Sequence, residues 1–280
     1  MSLWSAHHVP LVDSVLHPTD FSSASDTAFA HALAIALIRK TKFTLLHVGA
    51  GKQQWTHFPA VRSTLERWGL LEKGSPQAAV FDQLAVRVRK MVLASDKPSV
   101  AILEYLEKHP ADLLVLATEG REGLPRWIRP SVGEHLARKS KTMSLFVPQS
   151  VPGFVSLADG RISLRRILIP VDSYPDSTPA LEYATRAARF MGEPVEIILL
   201  HVGDRMPSIA PPECEMCSWK RMEVGGDVVE GIIDVAREHS ANLVVMATAG
   251  HQGFLDMLRG SVTEQVLRRA PCPLLAVPPI

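Results

Sequence analysis

The chain has 280 residues, 46% of them hydrophobic and 21% charged, with a formal net charge of +1. That length has room for two hydrophobic cores, and a near-neutral chain without a long basic block lacks the electrostatic footprint of a nucleic-acid binder. The longest apolar runs, such as 195–202 broken by Glu196, fall far short of the about 20 residues that cross a bilayer.

The start, Met1-Ser2-Leu3-Trp4-Ser5-Ala6-His7-His8, carries neither the basic region nor the apolar stretch of a signal peptide. Three cysteines are too few for a disulfide framework. A cytoplasmic chain that does not associate with membranes is therefore expected.

In chain order, 15–17 reads as a strand, and Phe29, Leu33, Ala36 and Leu37 mark a helical stripe. A strand follows over 43–48. Trp55, Phe58, Val61, Leu65 and Trp68 then predict an added helix, closed by Gly69 and the Gly74-Ser75-Pro76 turn. Val100, Leu103 and Leu106 mark another helix, and 113–117 and 144–147 read as strands. The stretch 151–164, with Pro152, Gly153, Asp159 and Gly160, reads as a linker between a first domain over 1–150 and a second over 165–280.

In the second domain, 166–171 is a buried strand. Ala180, Ala184, Ala187, Ala188 and Met191 fall on one helical face, and 195–202 is the next strand. Val228, Ile232, Val235 and Ala236 mark a helix, followed by strand 242–247, helix 262–269 and strand 274–277. Each half thus runs strand, helix, strand, strand, helix, strand, helix, strand, the signature of an α/β fold with a parallel sheet and crossover helices.

The halves are a duplication. Ala111-Asp112-Leu113-Leu114-Val115-Leu116-Ala117-Thr118-Glu119-Gly120 recurs as Ala241-Asn242-Leu243-Val244-Val245-Met246-Ala247-Thr248-Ala249-Gly250. Ala117 and Ala247, Gly120 and Gly250, and Ser131 and Ser261 are each 130 positions apart, a unit of domain size. His47 and His201 are 154 positions apart, so the first half carries 24 more residues between its second and fourth strands.

The chemistry concentrates where the repeated strand ends. After Ala247-Thr248-Ala249-Gly250-His251 a loop leads to Gly260 and a helix opening at Ser261-Val262-Thr263-Glu264. Bare N–H groups and the positive end of the helix dipole make such a start a phosphate seat, and a residue without a side chain at 260 lets an anion approach the backbone. The loop leaves the carboxyl edge of a parallel sheet, where open α/β folds bind ligands. Ser261-x-x-Glu264, like Ser131-x-x-Glu134, is equally a capping box; the two roles are compatible. His251 is placed to add a donor near an anion.

Ile169-Pro170-Val171-Asp172 after one strand, His201-Val202 after the next, and Gly250-x9-Gly260-Ser261 near the end together resemble the universal stress protein family. His17-Pro18-Thr19-Asp20 and His47-Val48 are the first-half counterparts, so the resemblance spans two tandem copies. It implies two Rossmann-like, adenine nucleotide alpha hydrolase-like domains, each a five-stranded, mostly parallel sheet with flanking helices. The closing strands, near 145–147 and 275–277, would meet about a pseudo-two-fold axis as an intrachain pseudo-dimer, with a homodimer of whole chains left open.

The resemblance also implies a stress-response regulator that binds ATP or another adenine nucleotide, with or without Mg2+, and acts on an unnamed protein partner. Carried over residue by residue, Asp172 lies near ribose and base, Val202 near the base, and Gly250, Gly260, Ser261, Val262 and Thr263 at the phosphates. Pro170, Val171, Met246, Ala247 and His251 complete the expected site.

Two departures grade the halves. The family pattern begins with a glycine where this chain has Ala117 and Ala247, and the added methyl narrows the approach to phosphates. In the first half Pro130 stands opposite Gly260 and removes an N–H donor, while Glu119 in place of Ala249 sets a negative charge beside an anion. The second half is the expected nucleotide site.

Other signals carry less. Gly49-Ala50-Gly51-Lys52 is not a P-loop, because Leu46 and Gln53 occupy required positions. Cys214-Glu215-Met216-Cys217 has metal or redox spacing, but without a second pair it reads as two ordinary loop cysteines, and no metal is expected. His47 and His201 read as structural, and Arg121, Arg126 and Arg129 as solvated charges. No Ser-His-Asp set with elbow spacing occurs. A weak ATPase would have only Asp172 and Asp256 to draw on; a nucleotide-independent scaffold would use the tryptophans of the added helix as its surface.

Overall fold

The computed structural model describes residues 11–49, 55–118, 142–149, 151–249 and 262–279. The first half builds β1 (Ser14–Pro18), α1 (Ala24–Arg39), β2 (Lys42–Val48), a 3-10 turn (Trp55–His57), α2 (Val61–Arg67), α3 (Ala79–Leu84), β3 (Arg87–Leu93), α4 (Pro98–Lys108), β4 (Leu113–Thr118) and β5 (Met143–Pro148). The second builds β6 (Arg166–Pro170), α5 (Thr178–Met191), β7 (Val195–Val202), β8 (Cys217–Val224), α6 (Val228–Glu238), β9 (Leu243–Ala247), α7 (Val262–Arg269) and β10 (Leu274–Val277).

The strands form one sheet in the order β3-β2-β1-β4-β5-β10-β9-β6-β7-β8. Within each half every sheet pairing is parallel. The halves are joined by an antiparallel pairing in which Leu274 faces Phe146, Leu275 faces Leu145 and Ala276 faces Ser144. The closing strands therefore meet as the resemblance implied. All six residues of β5 are buried, which fits a strand covered on both faces.

Successive strand residues point to opposite faces, and the two cores follow from that alternation. Val15, Phe43, Val115, Ile169 and Val245 pack beneath α1, α5 and the inserted helices. Leu16, Leu46, Leu116, Ile198 and Val244 pack beneath α4, α6 and α7. The predicted stripe of α1 is buried at Phe29, Leu33 and Ala36, and Asp227 caps α6 by accepting from the N–H groups of Val229 and Glu230 at 2.9 and 3.0 Å.

The third strand of each half lies at a sheet edge. β3 exposes Arg87 and Arg89, and β8 exposes Lys220, Arg221 and Glu223 between half-buried positions, charges that discourage pairing with another sheet. The insertion is part of the core: Phe58, Val61 and Leu65 are buried, and Trp68 is 7% exposed with its indole N–H donating to the Leu157 carbonyl at 3.2 Å. Of its two tryptophans only Trp55 is exposed, at 59%.

The stretch 151–164 is itself folded. Val155 bridges Ile162 antiparallel, and Phe154, Val155 and Leu164 are buried. His31 on α1 donates through Nδ1 to the Thr27 carbonyl at 2.7 Å and accepts through Nε2 from the Phe154 N–H at 3.0 Å. The imidazole lies so close to Gly153 that a Cβ there would stand 2.1 Å from His31 Cε1. In β1, His17 pairs through Nδ1 with the Val115 carbonyl at 2.9 Å.

Two predictions follow from this packing. Trp68→Ala is expected to destabilise the chain by about 3–5 kcal/mol in denaturant titrations, and Trp55→Ala by less than about 1 kcal/mol. Burial holds the His17 and His31 imidazoles down at about 4, below their ordinary 6.5. Between those values the unfolded chain binds protons that the folded chain refuses, so stability falls as pH drops from 6.5 towards 4, by about 1.4 kcal/mol per pH unit for each imidazole. Unfolding free energies measured from pH 7 to 5 should show that slope, and His31→Gln should make it shallower.

Candidate functional site

The helices leaving β6 and β9 take opposite faces. α5 packs its Ala180 and Leu181 into one core, whereas α7 packs Val266 and Leu267 into the other. Between these two neighbouring strands the chain parts, and a crevice opens at their carboxyl ends. The crevice is a cleft of about 390 Å3.

Its apolar floor is Val171, Leu200 and Met246, and its wall is Val202, Val228 and Ile232. Gly231 allows that wall to form, because a Cβ there would press to 3.0 Å from Val202 Cγ2 and 3.2 Å from Val224 Cγ2. The rims are Asp172, Tyr174 and Pro175 after β6, and Ala247, Thr248 and Ala249 after β9. Val262 and Thr263, the first two residues of α7, close the end.

Backbone contacts hold both rims. His201 donates through Nδ1 to the Val171 carbonyl at 3.0 Å, which fixes its tautomer, and the Val171 N–H donates to the Leu200 carbonyl at 2.8 Å. Thr248 donates both its N–H and its hydroxyl to the Val277 carbonyl, at 2.9 and 3.0 Å. The Tyr174 hydroxyl reaches across to the Ala249 carbonyl at 3.3 Å. Asp172 is exposed, with Oδ1 accepting from the Ser173 N–H at 2.6 Å, and it is the only charged side chain among the described lining residues.

Eight residues expected from the sequence line this one cleft: Pro170, Val171, Asp172, Val202, Met246, Ala247, Val262 and Thr263. Gly250, His251, Gly260 and Ser261 lie outside the described residues, as do Asp256, Glu119, Pro130 and the three arginines of the first-half loop. Sequence reasoning missed Tyr174, Pro175, Ser177, Leu200, Val228, Ile232, Thr248 and Ala249. Val228 and Ile232 had a signal as a helical stripe, but not for their second duty at the cleft.

The first half repeats the histidine contact and then diverges. His47 donates through Nδ1 to the Thr19 carbonyl at 2.8 Å. Asp20 Oδ1 accepts from both the N–H and the hydroxyl of Ser22, at 3.0 and 2.6 Å. Phe21, at a φ of 65°, stacks on His47 at 4.0 Å and meets Phe58 edge-on at 5.2 Å, so the loop after β1 is joined to the insertion.

The loop reading of the paired cysteines needs correcting: Cys217 opens β8, and its sulfur is bonded to that of Cys214. Local pairing against β7 turns a polar run into an edge strand, a gain that hydrophobic periodicity does not register. Among the described residues, no three His, Cys, Asp or Glu side chains converge for a metal. No described helix is long and apolar enough to cross a membrane.

Comparison with known proteins gives these observations a context. The family model described as the universal stress protein family matches residues 12–148 and 217–278. A universal stress protein of Mycobacterium tuberculosis is 24% identical, over 91% of this chain and 94% of its own. One from Methanocaldococcus jannaschii is 27% identical over 43% of this chain and 86% of its own. Among solved structures, a universal stress protein from Archaeoglobus fulgidus superposes with a TM-score of 0.61 at 18% identity, covering 95% of this chain and 98% of that one. With the family model on both halves and the tandem architecture shared along nearly the whole length, the chain belongs to the universal stress protein family.

Proposed function

We propose that the second domain binds an adenine nucleotide, ATP in the first instance, and that the chain acts as a nucleotide-responsive regulator in a stress response. The observation that carries this reading is the cleft at the β6/β9 switch point. Its apolar floor and wall suit a purine, and the exposed Asp172 at its rim suits ribose hydroxyls. Its volume falls within the range of small-molecule sites.

The described lining offers no cation, so phosphates would rest on the N-terminal amides of α7, where Val262 and Thr263 line the cleft. Asp172 is a single carboxylate, and Mg2+ would be held chiefly by the nucleotide's own phosphates. On this reading the cleft residues bind and orient the nucleotide.

The divergence of the loop after β1 supports a one-sided site. Calorimetry on the full chain is expected to give one ATP per chain. Asp172→Ala should weaken binding at least about tenfold, ~1.4 kcal/mol, and Asp20→Ala should leave it within about twofold. Loss through Asp20→Ala alone, or purified protein that neither retains nor takes up any nucleotide by mass spectrometry, would refute the assignment.

Ala247 tests the phosphate side. Ala247→Gly, which restores the family's glycine, is expected to tighten triphosphate binding about threefold while costing roughly 0.5–1 kcal/mol of stability at the strand end. Parallel calorimetry and thermal melts separate the two effects.

A further inference from the structure

The turn that carries Cys214 and Cys217 stands apart from the cleft, at the amino end of the edge strand β8. It is built by bonds that do not involve sulfur. The Cys217 N–H donates to the Cys214 carbonyl at 3.1 Å, the Val195 N–H donates to the Met216 carbonyl at 2.8 Å, and the Arg189 guanidinium donates to the Glu213 carbonyl. Further along, Arg221 donates to the Ile209 carbonyl at 2.7 Å, and the Met206 N–H donates to Glu223 Oε1 at 2.9 Å.

The Cα atoms of the two cysteines are 5.2 Å apart, within the span a disulfide bridges. Three positions separate them in sequence, so closing the ring removes little entropy from the unfolded chain. The backbone bonds of the turn are made by groups other than the two sulfurs. Both cysteines are partly exposed, as reaction with a small thiol requires. Cys272 differs: it is 2% exposed, and burial pushes its thiol up to about 12. With no third metal ligand nearby among the described residues, thiol chemistry is what the pair is placed to do.

We propose that Cys214 and Cys217 form a reversible thiol–disulfide site whose co-reactant is a low-molecular-weight thiol and its disulfide. In the oxidising direction one cysteine thiolate attacks a sulfur of the small disulfide, releasing one small thiolate and leaving a mixed disulfide. The second cysteine then attacks the protein sulfur of that mixed disulfide and releases the other small thiolate. The protein gives up two electrons and two protons; the small disulfide becomes two small thiols. Reduction runs the same steps backwards. The site is independent of the nucleotide reading, and neither stands or falls with the other.

The test uses the full chain equilibrated in buffers of reduced and oxidised glutathione, trapped natively with N-ethylmaleimide and weighed intact. Two labels are expected in reduced glutathione and none in oxidised glutathione, interconverting when the buffer is exchanged. Cys272 should take a label only after denaturation, an internal standard for native folding. Cys214→Ser leaves Cys217 without its partner and should stop at one glutathione adduct. Two labels at every buffer ratio would overturn the proposal, as would none in excess reduced glutathione, or one equivalent of zinc that blocks labelling.

Discussion

The antiparallel contact between β5 and β10 is the constraint from which the rest of the architecture follows. Both strands close their own domains, and both are almost wholly buried. Parting them would expose two apolar edges, with Leu145, Phe146 and Val147 on one side and Leu274, Ala276 and Val277 on the other. Joined, they leave a single sheet whose outer edges are the charged strands β3 and β8. The folded stretch 151–164 is fastened to the first half, where His31 holds Phe154 and Trp68 holds Leu157.

The loop after the first strand is anchored alike in both halves and then takes different paths. The same histidine contact, His47 to Thr19 and His201 to Val171, shapes the loop after the first strand of each domain. In the second domain that loop turns Asp172 and Tyr174 towards the cleft. In the first, Phe21 stacks on His47 and meets the inserted Phe58 edge-on, and Asp20 accepts from Ser22. The insertion therefore bears on the first domain's loop as well as on its core.

Much of the fold was legible because buried parallel strands are continuous apolar runs. Helix 262–269 and strand 274–277 fall on the same residues in sequence and structure. β3 and β8 were expected from the order but could not be located, since Arg87-Val88-Arg89-Lys90 and Trp219-Lys220-Arg221 read as solvated charge rather than as strand. The lining of the candidate cleft was legible where the repeat and the resemblance mark it, from Pro170 to Asp172 and at Val202, Met246, Ala247, Val262 and Thr263. Tyr174 and Pro175 escaped because a loop's path depends on contacts such as Tyr174 to Ala249, 75 positions away. Leu200 and Ile232 escaped because apolar residues at regular spacing look like any other core.

The reversal of direction at the β5–β10 seam has one more consequence. Strands of the first domain run against those of the second, so the carboxyl ends of the two sets of strands lie at opposite poles of the molecule. Groups at one pole therefore cannot touch those at the other, and a substitution at either leaves its counterpart's surroundings unchanged. Such antipodal placement leaves a duplicated domain free to drift towards a different use while its twin keeps the older one.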